Sequence, residues 1–151
     1  MPEYAPMIAL IQRVSRAEVR IGERTAGAIE HGMVALVGVR RTDAPRDAER
    51  LLERLLGYRI FADAAGRMNL DLRAVGGALL LVPQFTLAAD TSQGTRPGFS
   101  GAAAPEQARE LFAHLLERAR LHHHPVASGE FGAHMQLSLT NDGPVTFWLE
   151  T

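Results

Sequence analysis

Apolar and polar positions alternate along this chain with two different periods, and the changes of period mark the elements. Residues 7–14 (MIALIQRV) are rich in apolar and β-branched side chains and predict a first strand. Glu18-Val19-Arg20-Ile21 alternates with period two, and Gly22-Glu23 supplies a turn into a short return strand. Residues 33–39 (MVALVGV) are apolar on both faces, the mark of a buried strand, and residues 78–82 repeat that pattern. Residues 58–61 read as a further strand. The C-terminal stretch alternates twice, with Met135, Leu137 and Leu139 before Asn141-Asp142-Gly143 and Val145, Phe147 and Leu149 after Pro144. Asn, Asp and Gly together carry turn chemistry, so the pattern predicts a hairpin.

Two stretches follow the helical period instead. Ala48, Leu51, Leu52, Leu55 and Leu56 form one stripe, with Thr42 or Asp43 as cap, Pro45 in the first turn and Gly57 at the end. A second helix opens at Pro105 and aligns Ala108, Leu111, Phe112, Leu115, Leu116 and Ala119. Strands and helices therefore interleave as strands, helix, strands, helix, strands. That order predicts an α/β (α+β) fold, a single layered domain of mixed or antiparallel sheet with two main helices packed on one side.

Length and composition narrow the class. The chain has 151 residues, 46% hydrophobic and 22% charged, which fits one soluble domain. No apolar run reaches the roughly 20 residues of a membrane span. The first six residues have neither a basic segment nor an apolar core, so they do not read as a signal peptide. There are no cysteines, which excludes disulfides and thiolate zinc sites. These features predict a cytoplasmic protein. A formal net charge of −1 argues against a protein that coats nucleic acid, which would need a basic excess to neutralise phosphates. It leaves room for a local basic patch that grips one end of a structured RNA; Arg40, Arg41 and Arg96 are candidates, or plain surface charges.

Most motifs for side-chain chemistry are missing. His122-His123-His124 are adjacent, whereas zinc ligands usually recur at spacings that put them on one face. They follow a helix C-terminus, where the dipole favours cationic side chains, and read as surface residues. No Gly-x-Ser-x-Gly elbow or recognisable Ser/His/Asp spacing appears, and residues 98–101 match neither a dinucleotide fingerprint nor a P-loop. No metal or cofactor is expected. Residues 82–87 (VPQFTL) are more informative. A buried strand ends there at a Pro, followed by polar Gln84 and Thr86. This is either a strand leaving the core through a polar turn, or a strand end whose unpaired N–H groups face a cleft. Donors of the second kind can stabilise the oxyanion of an ester under hydrolysis.

Several blocks in order carry a resemblance: MIALIQRV, LGYRIFAD, GRMNLDL, QFTLAAD, GTRPGFS and NDGPVTFWLE. From residue 7 to 151 the chain resembles the D-aminoacyl-tRNA deacylase family, with residues 1–6 an N-terminal extension and Met7 an alternative start. The resemblance implies a homodimer that hydrolyses the ester between a D-amino acid and the terminal adenosine of tRNA, without metal or cofactor. It assigns Gln84, Phe85 and Thr86 to the active-site stretch. Gly143 and Pro144 become a cis element inserted into the neighbouring subunit's pocket, with Arg13 holding it. Arg96 and Phe99 become contacts to the tRNA terminus. The family needs no protein nucleophile when the substrate's ribose 2′-hydroxyl assists water, although Thr86 is a second candidate for that role.

The implied selection is by rejection. Carbonyls of the Gly143–Pro144 element would hold the substrate's α-ammonium, so that an L side chain points into backbone and a D side chain into solvent. Glycine, without a side chain, would pass as well. Pro83 departs from the family pattern, which usually has Ser there, and resembles a sister branch that removes an L-amino acid; Phe85 keeps the chain with the D-specific group. Two alternatives remain: a nucleic-acid-binding module of the same fold without turnover, for which the usual basic C-terminal extension is missing, and relaxed editing of glycine or L-alanine mischarging.

Overall fold

One long strand organises the molecule. In a computed structural model that describes residues 6–151, β1 (Ile8–Ile21) runs unbroken through both stretches that the sequence had suggested as separate strands. Its partner on one side is a return strand in two parts, β2 (Arg24–Ile29) and β3 (Gly32–Gly38). Pairs Ala17↔Ile29 and Val14↔Gly32 share one antiparallel register, so β2 and β3 behave as a single bent strand after the Gly22-Glu23 turn. β3 then pairs in parallel with β6 (Ala78–Pro83), and β6 with β7 (Val126–Ser128). β3 and β6 are buried along almost their whole length, as their continuous apolar runs require.

The sheet curls. β2 comes close to β7, and at Gly27 an added Cβ would lie 2.7 Å from the Ser128 carbonyl oxygen, so only glycine permits that approach. The curled sheet divides the apolar residues into two clusters. One lies under the helices α1 (Pro45–Gly57), α2 (Leu72–Val75) and α3 (Pro105–His122), and joins Ile11, Met33 and Leu79 to Leu51, Leu55, Phe112 and Leu115. The other, on the opposite face, contains Val14, Val19, Ile29, Val34 and Leu80. Both long helices thus pack on one side of a mixed sheet, as the stripes predicted.

Three local expectations fail for identifiable reasons. Neither Thr42 nor Asp43 caps α1. Ala44 takes that position, because the Asp43 carboxylate accepts from the Arg40 N–H at 2.6 Å. Asp47, three residues into the helix side, reaches back to the Ala44 N–H at 2.8 Å. Residues 58–61 do not form a strand of the main sheet. Only Phe61 pairs, in β4 (Phe61–Ala62) with β5 (Met68–Leu70), because the Ile60 N–H turns back to the Tyr58 carbonyl and the Ile60 carbonyl accepts from Arg13. The C-terminal hairpin is absent. β8 (Gln136–Glu150) is one strand that runs antiparallel along all of β1. Residues 1–5 of the expected N-terminal extension lie outside the described residues.

Candidate active site

The end of β6 is held by its neighbour rather than by its own turn. Gln84 donates its N–H to the Val37 carbonyl at 2.8 Å, the last bond of the β3–β6 ladder. Alternate residues of a parallel strand bond to opposite neighbours, so position 83 faces the β7 side. The chain after β7 still reaches that level, since the Gly129 N–H donates to the Leu81 carbonyl at 2.9 Å, and the Ser128 hydroxyl gives the Gly129 carbonyl, at 2.9 Å, the donor that a proline cannot.

Beyond Gln84 the backbone winds into one 3-10 turn, Phe85–Ala88. The first bond inside it runs from the Leu87 N–H to the Gln84 carbonyl at 3.2 Å. The N–H groups of Phe85 and Thr86 come before that bond, so the turn offers them no acceptor. They are positioned as donors by geometry alone. The Gln84 amide donates to the Thr86 hydroxyl in a short contact. Thr86 therefore meets an amide rather than an imidazole or carboxylate that could take its proton.

Phe85 is 61% exposed, although an apolar ring of this size is normally covered. Among the described residues its one ring contact is with Phe99, 5.5 Å away between ring centres and tilted by 38°. Phe99 is brought there by a loop that closes on itself: Asp90 and Gly98 exchange backbone bonds of 2.7 and 2.9 Å. The Ser92 hydroxyl and N–H both donate to the Asp90 carboxylate and hold its pKa below the ordinary value. Arg96 lies exposed within this loop. On the far side the Gly101 carbonyl accepts from the Arg41 N–H at 2.9 Å, which ties the loop to the end of β3. Arg40 is committed to Glu150 at 3.1 Å, whereas Arg41 is exposed. Gln84, Phe85, Thr86 and Phe99 thus gather at one corner, with Arg96 in the loop beside it.

The second candidate element is an arch in β8. On β1, Gln12 pairs with Thr146 and Val14 with Asn141, so Arg13 alone stands opposite the four residues from Asp142 to Val145. Arg13 points its guanidinium to the helix side. Its Nε donates to the Asp142 carbonyl at 2.9 Å and its Nη1 to the Ile60 carbonyl at 2.7 Å. The Gly143–Pro144 peptide is cis, and Gly143 has φ +141°, a value that side chains disfavour. Asp142, Gly143 and Pro144 are all exposed.

The resemblance points to Arg13, but two parts of this brace are not legible in the sequence. The Ile60 carbonyl carries no side-chain signal at all. Asn141 had been read as a turn former; its Oδ1 accepts from the Val145 N–H at 2.6 Å and its Nδ2 donates to the Thr146 hydroxyl at 2.9 Å. An Asn followed four residues later by a backbone it could close upon is a weak signal in sequence.

The fold does not bring the two elements together within one chain. Arg13 is in register with Met33 of β3, and Met33 with Leu79 of β6. From the arch to the level of Leu79 is three strand spacings, and Gln84 lies five residues further along. The separation is on the order of 20 Å. The histidines lie elsewhere: His122 ends α3 and His123 bonds the Gly77 carbonyl at 2.7 Å. Among the described residues no group of three or more His, Asp or Glu side chains is placed to hold a metal, and no helix is long and apolar enough to cross a membrane.

Comparison with known proteins matches residues 10–150 to the family described as D-Tyr-tRNA(Tyr) deacylase. The D-aminoacyl-tRNA deacylase of Thioalkalivibrio sulfidiphilus is 62% identical over 144 residues, 95% of this chain and 97% of that protein. That of Paraburkholderia phymatum is 57% identical over 150 residues, covering 96% and 99%. A solved structure named c-Myc DNA Unwinding Element Binding Protein superposes with a TM-score of 0.90 at 35% identity, covering 95% of this chain and 98% of that one. A structure described as a probable eukaryotic D-amino acid tRNA deacylase shares the fold, with a TM-score of 0.84 at 14% identity. These likenesses define the class, a hydrolase of the ester bond in aminoacyl-tRNA. The chain belongs to the D-aminoacyl-tRNA deacylase family.

Proposed function

We propose that this chain hydrolyses the ester of D-aminoacyl-tRNA as a homodimer, with residues 84–86 of one copy facing Gly143–Pro144 of the other. The observation that carries this reading is the separation of two exposed elements. Each has the features of half a site, yet one chain holds them about 20 Å apart. A second copy can supply the missing half. The exposed aromatic rings Phe147 and Trp148 follow the arch on an edge strand, and such rings favour a covering surface.

In this reading the Phe85 and Thr86 N–H groups stabilise the oxyanion formed when water attacks the ester carbon. Thr86, bonded by Gln84, positions rather than attacks, and the terminal ribose 2′-hydroxyl of the substrate assists the water. The Phe85–Phe99 pair offers a platform for the terminal base, with Arg96 available to a phosphate. The partner's arch carbonyls take the α-ammonium and exclude an L side chain; glycyl esters are accepted. The reaction takes place in the cytoplasm and uses no metal.

A complementation experiment tests the composite site. Thr86→Val and Gly143→Ala chains, expected to keep about a tenth and about a hundredth of the D-tyrosyl-tRNA hydrolysis, are unfolded together and refolded as a mixture. Random pairing gives half heterodimers, each with one intact site, so about a quarter of the original activity returns. No recovery would place both elements in one chain's site.

The name of the 35% identical structure favours a second reading, a DNA-binding module without turnover. Sequence-independent DNA binding at moderate salt, with D-tyrosyl-tRNA left intact, would support it instead. Relaxed editing predicts comparable rates on glycyl, D-alanyl and L-alanyl esters of one tRNA.

A further inference from the structure

We infer that Asn141 is a positioning residue that fixes the height of the Gly143–Pro144 arch, and that Thr146 is its partner. The inference rests on the reading of the arch as the selecting element. Four residues opposite one leave backbone groups that β1 cannot pair, because Arg13 has a single N–H and a single carbonyl to offer. A bulge of that size collapses or flattens unless something replaces the missing ladder. Asn141 does so with both ends of its amide. The carbonyl oxygen closes on Val145, drawing the two feet of the arch together, and the NH2 group locks onto Thr146 where pairing with β1 resumes.

Arg13 cannot do this job. Its bonds to Asp142 and Ile60 tie the arch to the layer beneath the helices and set its sideways position. The closure between residues 141 and 145 sets how far Gly143 and Pro144 stand out from the sheet. Height is what decides whether a side chain on the wrong face of the substrate's α-carbon meets backbone or clears it. Asn141 touches no reacting atom in this arrangement, so its effect is on stereochemical discrimination more than on the chemical step.

Selectivity and folding are separable by experiment. The ratio of D-tyrosyl-tRNA to L-tyrosyl-tRNA hydrolysis is measured for Asn141→Ala, Asn141→Asp, Thr146→Val and Gly143→Ala, with Tm recorded for each. Asn141→Ala is expected to lower the ratio by about 30-fold, since two hydrogen bonds are lost. Asn141→Asp is expected to restore most of it, because a carboxylate still accepts from Val145 and the Thr146 hydroxyl can turn to donate. Thr146→Val, which removes one bond, is expected to cost several-fold. An unchanged ratio in Asn141→Ala, or equal damage in the Ala and Asp variants, overturns the inference. If Asn141→Ala does not fold, a Thr146→Val ratio equal to that of the unsubstituted chain overturns it as well. A Gly143→Ala chain with an unchanged ratio shows instead that the arch is not the selector.

Discussion

The corner at residues 84–86 and the arch at residues 142–145 are held in place by opposite means. The corner is backbone chemistry at the end of a strand buried on both faces, secured by one ladder bond to Val37 and by the parallel pairing behind it. No side chain orients its two N–H donors. The arch stands on an edge strand that pairs, among the described residues, with β1 alone, and it is shaped almost wholly by side chains, Arg13 from β1 and Asn141 from its own foot. A site of the first kind tolerates surface substitution and fails when its core fails. A site of the second kind fails at single polar positions while the domain stays folded.

Gly143→Ala should break the contrast most sharply. The added Cβ would lie 2.7 Å from Val145 Cγ2 and 3.1 Å from Arg13 Nη2, at a φ that alanine avoids, so the arch must shift. A loss of about 100-fold in D-tyrosyl-tRNA turnover is expected, with the circular dichroism spectrum unchanged. Activity near that of the unsubstituted chain would remove the arch from the mechanism.

Arg13→Ala comes next. It deletes the bonds to the Asp142 and Ile60 carbonyls, and a fall of tens of times in turnover with about 2 kcal/mol of lost stability is expected. Steady-state kinetics and urea midpoints check both. Arg13→Lys should recover part of the stability but less of the activity, since one ammonium cannot reproduce the two-directional fork.

At the corner, Thr86→Val should cost only about tenfold, because the donors there belong to the backbone. A fall beyond about ten-thousandfold would make the Thr86 hydroxyl the attacking group.

The smallest effect on activity, none, is expected for Asp43→Asn, away from both elements. Burial raises the Asp43 pKa to about 6 from its ordinary 3.8, against the N–H of Arg40 that favours the charge. The folded chain then keeps a proton that the unfolded chain releases between about pH 4 and 6. Stability falls as pH rises through that window, by on the order of 2–3 kcal/mol, and the loss is complete above it. Urea midpoints at pH 4.5 and 7.5 should show that slope in the unsubstituted chain and a flatter one in the Asn variant.

Much of this arrangement was legible before any coordinates. The stripes of α1 and α3 and the runs of β3 and β6 follow from periodicity alone, because burial on one face or two imposes the pattern directly. The stretch 82–87 reads from sequence as a strand end, either a polar turn or a row of unpaired donors, and the resemblance of the blocks points to the family. Local chemistry misled where tertiary pairing competed with it. Asn141-Asp142-Gly143 satisfies every rule for a turn, yet the strand continues because β1 is long enough to pair on both sides of it. Residues 58–61 have strand composition, but their backbone groups were claimed by a tight turn and by Arg13.

The sequence by itself determined which residues are buried, the order of the elements and the chemical types available at each end of the sheet. Those depend on side-chain character and near neighbours, which are written in the chain. The tertiary structure alone decided that Arg13 stands opposite four residues, that the Ile60 carbonyl braces it, and that the corner and the arch lie on strands too far apart to meet. Register and strand order join residues more than 100 positions apart, and no local pattern encodes a partner at that distance.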